Sequence, residues 1–172
     1  WGIFPCVCSF FCMIIGLMKS GAIEKVSALM LGMTGYHTAS LGGSVTASTP
    51  LQELWGALVF GHISGIMVNF LNDIPVSVLL AEVLKGVSGL IDPAMFKSIL
   101  SGVLVGVHPG CNMAVTGSLA GLMWAKILDQ KNRPERVLPR VKHISIYGIP
   151  IMLITITAGC LPGWLQVLVI YH

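Results

Sequence analysis

Residues 106–121 read GVHPGCNMAVTGSLAG. They sit inside Ser98 to Ala125, 28 residues with no Asp, Glu, Lys or Arg, where His108 is the candidate charge. A segment that only crosses lipid is satisfied by leucine and valine, yet this one holds a histidine, a proline, an asparagine and four glycines. The run is too long for one untilted span, which needs about 20 residues, and it is interrupted at its centre. Divided there, residues 94–107 and 117–128 give two helices of about 18 to 21 Å at about 1.5 Å per residue. Each would reach roughly the midplane of a hydrocarbon core about 30 Å thick. Between them HPGCNMAVT would be non-helical backbone at depth, tolerated only inside protein or beside a wet cavity. Discontinuous helices of this kind build substrate sites in secondary transporters. The alternative is a kinked structural helix with small packing residues.

The composition agrees with a chain whose solvent is lipid. Of 172 residues, 55% are hydrophobic and 10% charged, with a mean hydropathy of +0.85, whereas soluble domains carry about 25% charged residues. Six of the ten Lys and Arg residues fall between Lys126 and Lys142, in KILDQKNRPERVLPRVK. This basic run is short, flanked by apolar spans and lacks interleaved aromatics, so it reads as a cytoplasmic loop under the positive-inside rule and not as a nucleic-acid site. The five cysteines (Cys6, Cys8, Cys12, Cys111, Cys160) show no zinc-type spacing and read as small hydrophobes. Cys8 and Cys12, four apart on one helix face, could hold a soft metalloid, but packing is the default. No nucleophile–base pair, metal cluster or phosphate loop is present in the pattern, so neither an enzyme nor a cofactor is expected.

Along the chain, residues 1–50 read as opening helices and a connection: an uncharged run from Ile3 to Met18, a short helix from Ala22 to Leu31, then a Gly, Ser and Thr-rich stretch over 32–50. Residues 51–86 read as a hairpin region, with the apolar run Leu54 to Asn72 and a tip at Asn72-Asp73-Ile74-Pro75. An Asx residue caps a helix and proline fits its first turn, so the tip is a break and a restart. A polar turn over Gly86 to Pro93, the discontinuous helix over 94–128, a basic loop over 129–143 and a final span over 144–170 follow, the last containing Pro150 and Pro162.

Two features mark the candidate site. The half-helix beginning at Gly117 and Ser118 would aim free N–H groups and a positive dipole end inward, suited to an oxyanion or a hydroxide. Gly106 and Gly110, with Gly117, permit close approach and unusual dihedrals, and Asn112, Thr116 and Ser118 offer side-chain contacts. Asp73, flanked by Phe70, Leu71 and Ile74, is costly in a membrane unless it faces a cavity or a partner. It could take up a proton during a cycle, or hold sodium with Asn72; its plain alternative is a helix cap. His108 is the second candidate proton carrier, because imidazole changes charge in the physiological range; otherwise it is a neutral ring bonded to a carbonyl. Glu82 and Lys85 read as interfacial.

GVHPGCNMAVTGSLAGLMWAKIL resembles, without gaps, the discontinuous-helix motif of the arsenical pump membrane proteins, the arsenite and antimonite efflux permeases. Gly106, Gly110, the block Gly117-Ser118-Leu119-Ala120 and Trp124 match. LNDIPVSVLL is similar to that family's hairpin-tip motif through Asn72 and Pro75, and the first 26 residues resemble the segment opening its second half, including Gly16 and Gly21. The wider group is the ion transporter superfamily, with citrate-transporter-like, sodium/proton antiporter, silicon efflux and dicarboxylate members. The resemblance implies an all-α integral membrane protein, here one carboxy-terminal repeat of an inverted-repeat transporter with a re-entrant hairpin, a discontinuous transmembrane helix and elevator-like alternating access. The chain departs from the pattern at Asp73, where the family has a second asparagine, at His108, where it has an acidic residue, and at Val115, where it has proline. The first two changes look like a carboxylate exchanged between the two loops.

The expected function is secondary active transport, exporting arsenite or a related metalloid or small oxyanion. The substrate would be held by Asn72, Asp73, Gly106, His108, Gly110, Asn112, Thr116, Gly117 and Ser118, and proton or cation coupling would run through Asp73 and His108. A sodium/proton antiporter, or a silicate, citrate or dicarboxylate carrier, is the alternative within transporters. A degenerate half-transporter acting as a structural subunit is the alternative outside them. The expected partners are the lipid bilayer, the missing amino-terminal repeat or a second copy, a small inorganic or organic anion, and a proton or sodium ion. The expected location is an integral membrane protein with residues 126–142 on the cytoplasmic side.

Overall fold

A computed structural model describes residues 3–35, 48–111, 123, 126–127 and 137–171. Among them are six helices and no strand: α1 (Ile3–Lys19), α2 (Ala22–Met33), α3 (Pro50–Leu71), α4 (Asp73–Ser88), α5 (Pro93–Gly110) and α6 (Val137–Tyr171). Two are long and apolar enough to cross a membrane, Pro50–Leu71 and the Ile146–Tyr171 part of α6.

The helix starts follow local chemistry. α3 opens on a capping box: the Thr49 N–H donates to Gln52 Oε1 at 3.1 Å and the Gln52 N–H donates to Thr49 Oγ1 at 3.4 Å, with Pro50 needing no partner for a missing N–H. α5 opens on a simpler cap, in which the Ala94 N–H donates to the Asp92 carboxylate at 3.2 Å across Pro93. Between α1 and α2 the chain turns at Gly21, with φ of 68°, a value that favours a residue without Cβ.

Packing centres on α3 and α5, which run parallel with α4 returning between them. Their seam is a ladder of small residues four apart: Ala57, Gly61 and Gly65 on α3 against Gly102, Gly106 and Gly110 on α5. A Cβ added at Gly102 would collide with the Ala57 carbonyl, one at Gly106 with the Gly61 carbonyl and Ser64 Oγ, and one at Gly110 would lie 2.5 Å from Gly65 Cα. Small-residue seams of this type bring backbones together where lipid provides no hydrophobic drive for helix association. α6 runs antiparallel against this pair. Trp164 Nε1–H donates to the Pro50 carbonyl at 2.8 Å, Ile156 reaches Gly65, and Lys97 at the start of α5 lies 4.9 Å from the Tyr171 ring centroid at the end of α6. On the other side α2 and α4 cover α3 and α5 with an apolar cluster that includes Met30, Phe60, Leu80, Val83 and Met95.

The outer surface is apolar as well. Phe70 is 78% exposed and Val169 80% exposed, with Trp55, Ile66, Ile151 and Ile154 also outward. Large exposed apolar surface marks contact with lipid or with a partner.

Several expected boundaries move. The first arm of the discontinuous helix was expected to end at residue 107; α5 continues through His108 and Pro109 to Gly110. The seam explains the extension, because Gly106 and Gly110 are both seated on α3 and hold the helical path across Pro109. At about 27 Å and 33 Å, α5 and α3 are each longer than a half-span. Positive φ occurs at Gly21, Gly35 and Asn72 among the described residues, so Gly106 and Gly110 serve close approach and not unusual dihedrals. The basic loop expected over 129–143 is helical from Val137, with Pro139 in the first turn of α6, where proline is tolerated. Of the second arm, residues 123 and 126–127 are helical; Asn112, Thr116, Gly117 and Ser118 lie outside the described residues.

Candidate functional site

At one end of the bundle three helix termini meet: the end of α3, the start of α4 and the end of α5. α3 stops at Leu71 because Asn72 takes φ of 72° and ψ of 159°, outside any helical region. The Asn72 N–H still donates to the Val68 carbonyl at 2.9 Å, and the Asn72 carbonyl accepts from Val76 N–H at 3.3 Å. One residue thus closes one helix and opens the next. Asp73 follows as the first residue of α4; one of its carboxylate oxygens accepts from the Ile74 N–H at 2.9 Å, and its carbonyl accepts from Ser77 Oγ at 2.7 Å. A carboxylate in this first turn also faces the positive end of the α4 dipole.

α5 arrives opposite. His108 Nδ1–H donates to the Leu104 carbonyl at 3.2 Å, and the Cys111 thiol donates to the His108 carbonyl at 2.8 Å. Asp73, Ile74, Ser77, Val107, His108 and Cys111 together line a cavity of about 200 Å³. Asp73 and His108, both expected in the site, therefore border the same space. Asn69 ties the α3 and α5 ends together: its Nδ2 donates to the Gly65 carbonyl at 2.8 Å and to the Gly110 carbonyl at 2.9 Å. Asn72 Oδ1 is buried at this end and has no hydrogen-bond partner among the described residues. A buried amide oxygen left this way costs about 1 to 3 kcal/mol, and Asn72 is not among the residues that line the cavity.

Gly106 and Gly110, also expected in the site, are buried against α3 and shape the seam behind the cavity. Three contributors were not anticipated. Asn69 stands three residues before Asn72, and Ser77 stands four after Asp73 and so shares its helix face. Cys111, read as a packing residue, stands three residues after His108 at the cavity wall.

The opposite end of the bundle is also polar. Glu53 is fully buried and accepts from Ser48 Oγ at 2.7 Å, with Asp92 Oδ2 3.4 Å from the same hydroxyl. Both carboxylates sit at helix N-termini, where the dipoles favour negative charge. Glu82 and Lys85 pair at 2.7 Å on the surface of α4, an interaction worth about 0.2 to 1 kcal/mol. Among the described residues no group of three or more His, Cys, Asp and Glu side chains is arranged to hold a metal ion. Comparison with protein-family models, curated proteins and solved structures returns no match.

Proposed function

We propose that the chain is one repeat of a secondary active membrane transporter that exports arsenite or a related metalloid or small oxyanion, with the cavity between Asp73 and His108 forming part of its substrate and coupling site. The supporting observation is the convergence of two sequence breaks, at Asn72 and at Pro109–Cys111, on one cavity with an ionisable group from each side. A neutral metalloid hydroxide can donate O–H both to a carboxylate and to the free Nε2 of an imidazole whose one N–H goes to the Leu104 carbonyl, and both groups border this space. At about 200 Å³ the cavity suits a small inorganic species with a few waters, each occupying about 30 Å³. Uptake of a proton by Asp73 or His108 would change the charge facing the substrate, which is the element that proton coupling needs.

A direction follows if the basic stretch is taken as cytoplasmic. α6 runs antiparallel to α3, so its start at Val137, next to the basic residues, lies at the cavity end of the bundle. With the basic stretch cytoplasmic, the cavity opens toward the cytoplasm, the side from which an exporter loads.

The test is arsenite accumulation in everted vesicles carrying the complete protein, with and without an imposed proton gradient, beside an Asp73→Asn variant. Gradient-dependent accumulation that the variant loses supports the reading. No accumulation by a well-expressed, membrane-inserted wild type removes arsenite and turns the question to sodium, silicate and citrate.

A further inference from the structure

Trp55 and Leu58 of α3 each border two cavities. One, of about 310 Å³, continues outward past Leu51 and Leu54 to Gln52 and to Thr34 of α2. The other, of about 360 Å³, continues inward past Val59 to His62 and Ile63, with Met33 of α2 and Thr157 of α6 at its sides. Sharing two wall residues, they form one groove along α3 from Leu51 to Ile63, about 18 Å long at about 1.5 Å per residue. Spread over that length, their volumes give a channel about 7 Å across.

The groove suits an apolar guest. Among the described residues no Asp, Glu, Lys or Arg lines it. The polar atoms at its inner end are met within the helices: His62 Nδ1 lies 2.8 Å from the Leu58 carbonyl, and the Thr157 hydroxyl lies 2.8 Å from the Leu153 carbonyl and 3.4 Å from His62 Nε2. Depth and width narrow the choice of guest. The groove starts where α3 starts and ends just past its middle, and α3 is long and apolar enough to cross a membrane. One leaflet of a hydrocarbon core about 30 Å thick is about 15 Å deep, close to the length of the groove. A single hydrocarbon chain, whose carbons pack at about 3.5 to 4.0 Å, fits the width; a helix about 10 to 12 Å across does not.

We propose that this groove is a binding site for one acyl chain of a membrane phospholipid. The chain enters at the start of α3, with its head group on the side of Gln52 and Thr34, and runs inward to His62. Walls from α2, α3 and α6 enclose it on three sides, so it is held where lipid on the open surface exchanges. The site is separate from the Asp73 cavity. It rests on α3 crossing the membrane and not on the transport reading.

The experiment is native mass spectrometry of the full chain, moved from dioleoyl-phosphatidylcholine nanodiscs into detergent and washed free of bulk lipid. The wild type is expected to retain one phospholipid. Val59→Trp, which fills the groove, is expected to retain about tenfold less, because the buried apolar contact is lost. Ile66→Trp is the control: Ile66 is exposed, stands on the same helix face seven residues on and lies outside the groove, so this variant is expected to match the wild type. A wild type that holds no lipid overturns the proposal, and so does equal retention by the two variants. A dimer in place of bound lipid, dissociated by Val59→Trp, overturns it in favour of a second copy of the chain. A second readout adds no bulk to the groove and decides alone if Val59→Trp does not fold. With one bromine-labelled phospholipid per chain in detergent, the emission that Trp55→Phe removes is expected to be quenched more strongly than the rest; quenching no stronger than the rest overturns the proposal.

Discussion

Asn72 combines two costs that a purely structural position would avoid. Its backbone, at φ 72° and ψ 159°, occupies a region open in practice only to glycine, with a strain of about 1 to 3 kcal/mol. Its side-chain oxygen is buried without a partner among the described residues. Glycine would relieve the first cost and remove the second, so Asn72→Gly is expected to raise stability by about 1 kcal/mol in thermal unfolding of the detergent-solubilised protein. Under the proposed function the same variant is expected to lose transport, because an amide read as part of the substrate site is gone. A variant that is less stable than the wild type would show that Asn72 is held by interactions of its own, and would end its reading as a strained functional residue. Asn69 behaves oppositely. Replacing it with leucine leaves the Gly110 carbonyl without its bridge to α3, and is expected to destabilise by about 1 to 2 kcal/mol.

Among the elements, the α3–α5 pair sets the frame on which the cavity is built. Its contact is backbone on backbone, so a methyl group has nowhere to go: Gly102→Ala drives a carbon into the Ala57 carbonyl. The expected loss is about 3 kcal/mol or more, since overpacking against backbone finds no flexible side chain to displace. Gly32→Ala is the matched control: no described residue lies within 4 Å of its added Cβ, and the helix gains about 1 kcal/mol from the exchange. Thr49→Ala removes half of the α3 capping box and is expected to cost about 1 kcal/mol, read from the same unfolding curves. These elements also show what the sequence made legible. The turn at Asn72-Asp73-Ile74-Pro75 was readable because Asx and proline act locally, on the next three residues. Thr49-Pro50 and Asp92-Pro93 carry the same local signal. The four-residue spacing of Ala57, Gly61 and Gly65, and of Gly102, Gly106 and Gly110, was in plain view too. Its meaning was not, because a glycine read alone suggests an unusual dihedral, and only a facing helix turns it into a contact. The lengths of α5 and α6 were underestimated for related reasons: Pro109 looks like a break, but the seam with α3 carries the helix past it, and the basic run looks like a loop, although the chain is helical from Val137.

For the molecule as a whole, sidedness joins the fold to the proposed direction of transport, and Cys111 reports it. The thiol is half-buried at the cavity wall, at the end of the bundle where the antiparallel α6 begins. If residues 126–142 lie in the cytoplasm, that thiol meets cytoplasmic water and not the exterior. A charged maleimide that cannot cross lipid is therefore expected to label the wild type more than Cys111→Ser in everted vesicles. The same reagent added to intact cells is expected to label both proteins equally, since the remaining cysteines are common to the two. A difference seen only in intact cells would place the cavity on the outer face, and the chain would then load substrate from outside. No difference in either preparation would mean that water does not reach Cys111. The space between Asp73 and His108 could then not admit a hydrated ion or a metalloid hydroxide, and the proposed site would have to be sought elsewhere in the chain.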